Sequence, residues 1–459
     1  MTNALNTHPL RVLRRAIPAG VAALITLTAC SGEDTPVQGC PIRVAGAPGI
    51  THQGIPITQD TTWRAEDGPH HVVGTLAVNN GATLTVEACA EVVMEADAQL
   101  HIGDPGHGED GHLIVAGEAD RKVSFKAGQG PWAALVVFAP GDAELSHVDF
   151  EGGGVPTDFG AASIIVLGEG TLPLSRPLKV DTVSIKDSAT HGLWMANSAR
   201  FDPDSKDLVI TNAGQAADHF PLLVTGHAAH GLPKGRYTGN ANDEILLVED
   251  NTDGRNGLQA DVTLRDLGVP YRVGRLADEG LRVGANGGLP ATLTIEAGVE
   301  LRFSPGTSLR TVSDADGPRG RLEIQGTPTE PVVLTSASST RSRGDWVGLY
   351  FESPMADHQV TNALVEYAGG WCSCSLASCS PLDTYDAAVI LDGEPQGIFI
   401  TNSTVRESAG HGFLRSWNDH ADLDFLANNT VEGVTGCAQT QPVRSTEVCP
   451  DPAYACNQN

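Results

Sequence analysis

Ala82-Thr-Leu-Thr-Val-Glu-Ala88 returns later in the chain as Ala291-Thr-Leu-Thr-Ile-Glu-Ala297, with Val86 against Ile295 the one change. Each copy alternates apolar and polar residues with period two, the pattern of a strand that buries one side. The match continues outward in the same register. Leu113, Val115 and Gly117 meet Leu322, Ile324 and Gly326, and Val123 and Phe125 meet Val332 and Leu334. Trp132 and Trp346 correspond after a short insertion. Val148-Asp-Phe-Glu-Gly-Gly153 parallels Val365-Glu-Tyr-Ala-Gly-Gly370, and Asp187-Ser-Ala-Thr-His-Gly-Leu193 parallels Glu407-Ser-Ala-Gly-His-Gly-Phe413. Insertions fall at Gly- and Asp-rich turns, where a solenoid tolerates them because each coil touches only its neighbours. Leu84, Val86, Leu293 and Ile295 are expected to point inward.

The rest of the body reads the same way. Short apolar or alternating runs recur, among them Val92-Val-Met94, Leu135-Val-Val-Phe138 and Ile164 to Leu167, broken by Gly, Asn, Asp and Pro. No helical periodicity of useful length follows the first 30 residues, so the class is all-β. A β-sandwich array is the competing fold, but hairpin signals are sparse. Asn240, Asn242 and Asn402 lie near turns and are expected to join side-chain amide ladders.

These residues carry a resemblance. Gly-Pro-His-His-Val72, the Ala-Thr-Leu-Thr-Val-Glu run, Gly117, Trp132 and the Val-Asp-Phe-Glu-Gly-Gly strand, with a second copy from Val269-Pro-Tyr-Arg-Val273, resemble the right-handed parallel β-helix lipoproteins of bacterial surfaces, which share the pectin-lyase-like fold. The resemblance implies a solenoid of three-strand coils over about residues 61–435. The expected organisation is a signal peptide (1–29), a lipidated cysteine and tether (30–60), a first copy (61–245), a second copy (246–435) and a Cys-rich tail (436–459). It implies no particular activity.

Arg11, Arg14 and Arg15 precede an apolar run that is too short to span a bilayer and ends in Leu27-Thr28-Ala29-Cys30. This resembles the lipobox of bacterial lipoproteins, which implies cleavage before Cys30 and acylation of its sulfur. Ser31 in the following position favours the outer membrane by resemblance to the sorting rule. The expected membrane contact is through the lipid alone. The chain carries 56 acidic against 29 basic side chains, net −27, and the first 29 residues hold three of the arginines and no acid. Such a charge repels nucleic acid and anionic lipid, leaving polysaccharide or other envelope components as expected partners. Besides Cys30 there are Cys40, Cys89, Cys372, Cys374, Cys379, Cys437, Cys449 and Cys456. An even set in an exported chain reads as disulfides, with roughly a hundred possible connectivities. Cys40 is expected to pair with Cys89, and the 372–379 loop to be clasped to the 437–456 tail.

Several stretches invite chemistry. Gly410-His411-Gly412 resembles part of the polygalacturonase active-site pattern, and Asn251-Thr252-Asp253 resembles another part. No paired Asp-Asp motif lies at a fitting distance, and no Arg-x-Lys follows His411. The duplicated His191 and His411 therefore read as turn residues entering a strand. A calcium-dependent lyase would need clustered carboxylates beside a basic side chain, and the acids here are scattered through turns. His101, Asp104, His107, Glu109, Asp110 and His112 could ligate a zinc-like ion, but the second copy keeps no histidine there and the loop reads as solvated. Cys372, Cys374 and Cys379 read as disulfides rather than zinc ligands. No catalytic residue, metal or cofactor is assigned from sequence. The expected role is a non-catalytic surface, adhesion or glycan-binding scaffold, with a polysaccharide-active enzyme as the alternative.

Overall fold

The computed structural model describes residues 39–41, 48–104, 106, 110–277, 279–372, 386–417, 423–442 and 456. It is a right-handed parallel β-helix. One coil is the run of strands Thr83–Glu87, Glu91–Met94 and Gln99–Ile102. The next coil, His112–Ala116, Val123–Ala127 and Ala134–Phe138, lies on it in register, with Leu84 against Leu113, Val92 against Phe125 and Leu100 against Leu135. Every ladder between coils is parallel, and two small antiparallel hairpins stand apart at Asn251–Asn256 and Ser313–Pro318. Leu84, Val86, Leu293 and Ile295 are each 0% exposed, as their alternation requires. They join one continuous apolar core along the axis, from Trp63 to Phe425.

Corners are turned by single residues at positive φ. Strands Asp142–Glu151 and Ser175–Lys186 each serve two faces, bending at His147 (φ 45°) and Thr182 (φ 59°), which stack between the pairs Ser146–Asp181 and Val148–Val183. Asn362 and Asn402 (φ 49° and 52°) turn the same corner in the second copy. The glycines matched between copies have a steric reason. A Cβ on Gly117 would lie 2.2 Å from the His147 carbonyl oxygen, and one on Gly326 2.2 Å from that of Asn362. The matched tryptophans also repeat one bond, Trp132 Nε1 donating to the Glu151 carbonyl at 2.8 Å and Trp346 Nε1 to that of Glu366 at 2.9 Å.

The copies are not related by simple stacking. Strand Ile245–Val248 pairs with Tyr271–Val273, Ile245 against Tyr271. A 13-stranded sheet thus runs through the third strands of the early coils and continues through the second strands of the later ones. Val332–Ser336 lies in it, whereas its sequence counterpart Val123–Ala127 lies in the 12-stranded sheet. The second copy is therefore rotated about the axis by one face. The additional face is taken up by the 3-10 turn His227–Ala229 and by Leu258, which bridges to Val283.

Two expectations are corrected and a third is narrowed to Cys449, which lies outside the described residues. Strand Ile50–Gln53, inside the stretch read as tether, pairs with His70–Val73. It shows no apolar alternation because it is an edge strand held by backbone bonds, with Ile50 43% exposed. The asparagines form no amide ladder with one another. Asn240 Nδ2 donates to the carbonyls of Ile210 and Tyr237, and Asn242 Nδ2 to those of Ala217 and His219. Asn402 instead turns a corner through its backbone. A turn leaves carbonyls without ladder partners, and an amide there satisfies them more fully than another amide would. The clasp between the 372–379 loop and the tail does not run through Cys437 or Cys456, because these two are joined to each other, Cα atoms 5.1 Å apart. Such a short loop closes at less entropic cost than a long one.

Candidate functional site

The duplicated histidines are occupied by the backbone. Ser188 Oγ donates to the His191 carbonyl at 2.6 Å, and Ser408 Oγ to that of His411 at 3.0 Å. His191 Nδ1 accepts the Phe220 N–H at 3.0 Å, and His411 Nδ1 accepts the Cys437 N–H at 2.9 Å. Burial lowers both pKa values, that of His191 to about 4. The flanking glycines of Gly410-His411-Gly412 are steric. A Cβ on Gly410 would lie 1.8 Å from the Asp386 carbonyl oxygen, and one on Gly412 2.5 Å from that of Ala438. The motif builds a turn. His227, His230 and His358 likewise accept N–H groups, from Gln259, Thr263 and Leu322. That recurrent use of imidazole across coils left no mark in the sequence.

The other sequence candidates separate. His101 bonds Gln99 at 2.9 Å and packs edge-on to Phe138 and Phe159, while His112 faces Asp142 at 3.0 Å. His107 and Glu109 lie outside the described residues, and no group of three metal donors assembles among those that are described. Asn251 and Thr252 form one arm of a hairpin. Cys40 is bonded to Cys89, Cα atoms 5.6 Å apart, and Cys372 is also disulfide-bonded. Cys30, Cys374, Cys379 and Cys449 lie outside the described residues.

A different constellation forms where the two copies meet. Arg176 comes from strand Ser175–Lys186, Arg200 from Ala199–Phe201, and Lys206 and Asp207 from Lys206–Thr211. His230 and Lys234 follow the 3-10 turn, and Arg265 follows Val262–Leu264. Together they line a cavity of about 390 Å³. Lys206 is tied to Asp181 at 3.1 Å. No carboxylate of the described residues reaches ion-pair distance of Arg176, Arg200, Lys234 or Arg265. Most other cations of the described residues are paired with carboxylates, Arg236 and Arg255 being exceptions that stand on exposed turns or edges. Along the outer side of the 13-stranded sheet, Glu244, Arg272, Arg302, Glu300, Arg341, Glu366 and Arg406 form one chain of ion pairs.

Arg200 is the fixed point of the groove. It is 9% exposed, its Nε donates to the His227 carbonyl at 3.0 Å, and its Nη2 donates to that of Asp261 at 2.8 Å. His227 is locked in turn, Nδ1 to Asp250 at 2.8 Å and Nε2 accepting the Gln259 N–H at 2.8 Å. With both ring nitrogens engaged, this buried His–Asp pair orients backbone and offers no base to a substrate. Burial and then the guanidinium groups of Arg200, Arg265 and Arg176 hold His230 below its ordinary pKa. Sequence reasoning missed the groove because its cations are far apart in the chain and follow no period; stacking of coils brings them together.

A family model described as a pectate-lyase-like β-helix domain matches residues 285–366. The match falls on coils of the second copy, and the parallel ladders carry the same architecture through the other described coils. Comparison with curated proteins and with solved structures finds no match.

Proposed function

We propose that this chain is a non-catalytic display scaffold of the bacterial envelope, exported and anchored by lipid on Cys30, whose groove between the copies holds an envelope glycan. The observation that carries the reading is the group of unneutralised cations at Arg176, Arg200, Lys234 and Arg265 in a chain of net charge −27. Unlike charges gathered at one place in an otherwise acidic surface focus an anionic ligand there. The disulfides Cys40–Cys89 and Cys437–Cys456 suit an oxidising compartment. The lipobox-like Leu27-Thr28-Ala29-Cys30 supplies the anchor.

The test is a panel of acidic and neutral polysaccharides, assayed for binding and for reducing-sugar or unsaturated products. Retention of acidic polymers without products is expected, with retention weakened by Arg176→Gln/Arg265→Gln. Product formation would overturn the non-catalytic reading. For the anchor, Cys30→Ser should abolish incorporation of labelled palmitate and release the body from membranes. Retained label in that variant would overturn it.

A further inference from the structure

We infer that the groove between the copies is a binding site for a phosphate monoester, carried by a sugar or by a lipid headgroup, with Arg176, Arg200, Lys234 and Arg265 as its cationic partners. This rests on the proposed role of the groove as the ligand surface and specifies the chemistry it takes. Arg200 is already positioned for such a ligand. Two of its nitrogens are committed to carbonyls and its Nη1 has no hydrogen-bond partner among the described residues, on a side chain only 9% exposed. A buried guanidinium is costly to keep charged, and Asp250 and Asp261 act on it only through space, neither at ion-pair distance. The cluster of cations around the cavity is therefore suited to an anionic ligand.

The number and arrangement of cations select the kind of anion. One carboxylate presents one charge and two oxygens in a plane. A phosphate monoester presents close to two charges and three oxygens disposed tetrahedrally, so it can accept from guanidinium forks approaching from different strands. Here the cations arrive from four separate segments around one cavity. A volume of about 390 Å³ suits a phosphorylated monosaccharide or a headgroup. The neighbouring outer face offers no continuation for a polyanion, since its arginines are already paired to Glu244, Glu300 and Glu366.

Proton linkage separates the two anion types. A phosphate monoester loses its second charge on acidification with a pKa of about 6, so its dianion falls about tenfold between pH 7.5 and pH 5. A uronate remains ionised throughout. The titratable groups facing the cavity are His230 and Asp207, with Asp181 beside Lys206 and Asp261 beside Arg200. Protonating any of them would add positive charge or remove negative charge and so favour anion binding. A loss of affinity at pH 5, read while the melting curve shows the chain still folded and not shared by galacturonate, therefore reports the ligand's own proton.

The experiment is calorimetric titration of the full chain with glucose 6-phosphate, galacturonate and glucose at pH 7.5 and pH 5, with flotation on phosphatidic acid or phosphatidylcholine vesicles. The variant is Arg176→Gln/Arg265→Gln, whose side chains hold no described hydrogen bond, and its melting curve should match that of the parent. Glucose 6-phosphate or phosphatidic acid should bind at least about tenfold more tightly than galacturonate or phosphatidylcholine, weaken about tenfold at pH 5, and lose binding in the variant. Either probe supports the inference, and the one preferred identifies sugar or lipid as the source. Equal binding of galacturonate with no pH effect overturns the phosphate assignment and leaves the glycan reading standing. If the variant binds acidic polysaccharide as the parent does and no phosphate probe binds, both readings fall.

Discussion

Acidification from pH 7 to pH 5 should loosen the β-helix through its turn histidines. His191 and His358 are buried, and burial holds the pKa of each near about 4, with Arg321 adding to the effect at His358. Their Nδ1 lone pairs accept the N–H groups of Phe220 and Leu322 at 3.0 and 3.1 Å, which a protonated ring cannot do. His358 Nε2 has no partner to stabilise a charge. In the unfolded chain both would titrate near about 6.5. Between those values the unfolded chain binds protons that the folded chain refuses. Stability therefore rises with pH across the window, is whole above about pH 6.5, and is lost progressively down to about pH 4. At pH 5 each histidine removes about 2 kcal/mol, and the pair about 4 kcal/mol, against a usual total of roughly 5–15 kcal/mol. His230 and His411 are shifted in the same direction. The carboxylate of Asp314, held down to about 2 chiefly by its bond from Arg319, stays ionised throughout and adds nothing in this range. The assay is amide hydrogen exchange of Phe220 and Leu322 with urea unfolding at pH 7, 6 and 5, comparing the parent with His191→Gln/His358→Gln. Glutamine can accept the same N–H and does not titrate, so the variant should lose less stability on acidification. Parallel curves for the two proteins, or imidazole resonances titrating near 6.5, would refute the reasoning.

Other consequences are nearer the fold. Leu84→Ala and Leu293→Ala should each cost about 2–5 kcal/mol in urea unfolding, from lost transfer energy plus a cavity, and their effects should add because the sites lie in separate copies. Gly410→Ala should lower the melting temperature by several degrees, since its Cβ must displace the Asp386 carbonyl, while His411→Gln should be milder. Reducing Cys40–Cys89 should raise exchange in Ile50–Gln53 and His70–Val73 first, at a cost of a few kcal/mol, with exchange in the second copy unchanged.

What could be read from the sequence was whatever obeys a short period. Alternation at Leu84 and Val86 fixes which side chains enter the core, because a one-residue slip would expose them all. The Trp132–Trp346 and Gly117–Gly326 matches report contacts made within a coil or to the next coil, so duplication preserves them. The asparagine ladder failed because a side-chain amide can serve a turn carbonyl as easily as a neighbouring amide, and spacing does not decide between them. The pairing of Cys437 with Cys456 was not legible because connectivity depends on where the chain ends up in space. Arg176, Arg200, Lys234 and Arg265 belong to different coils, and no local pattern distinguishes them from the cations that stacking supplies with carboxylates.

The rotation of the second copy explains why a groove exists at that place. Had the two copies stacked by whole coils, each strand of the second would extend the face of its counterpart in the first, and the ladders would pass the junction without a break. A shift of one face requires an extra segment, and here the chain provides the 3-10 turn His227–Ala229 and the lone bridge at Leu258. Neither is long enough to cover a face, and the adjacent strand Gly235–Arg236 has only two residues. The coil is left notched, with the His227 carbonyl bonded by the His230 N–H of its own turn and the Asp261 carbonyl beside it, and no ladder to a strand at either. Arg200 donates to both carbonyls, which draws a charged side chain into a position 9% exposed at the edge of the notch. The buried Asp250 bonds His227, whose carbonyl holds Arg200, so it acts on the guanidinium through space and not as an ion pair. The cationic groove thus follows from how the duplicated halves were joined, and neither half would form it alone.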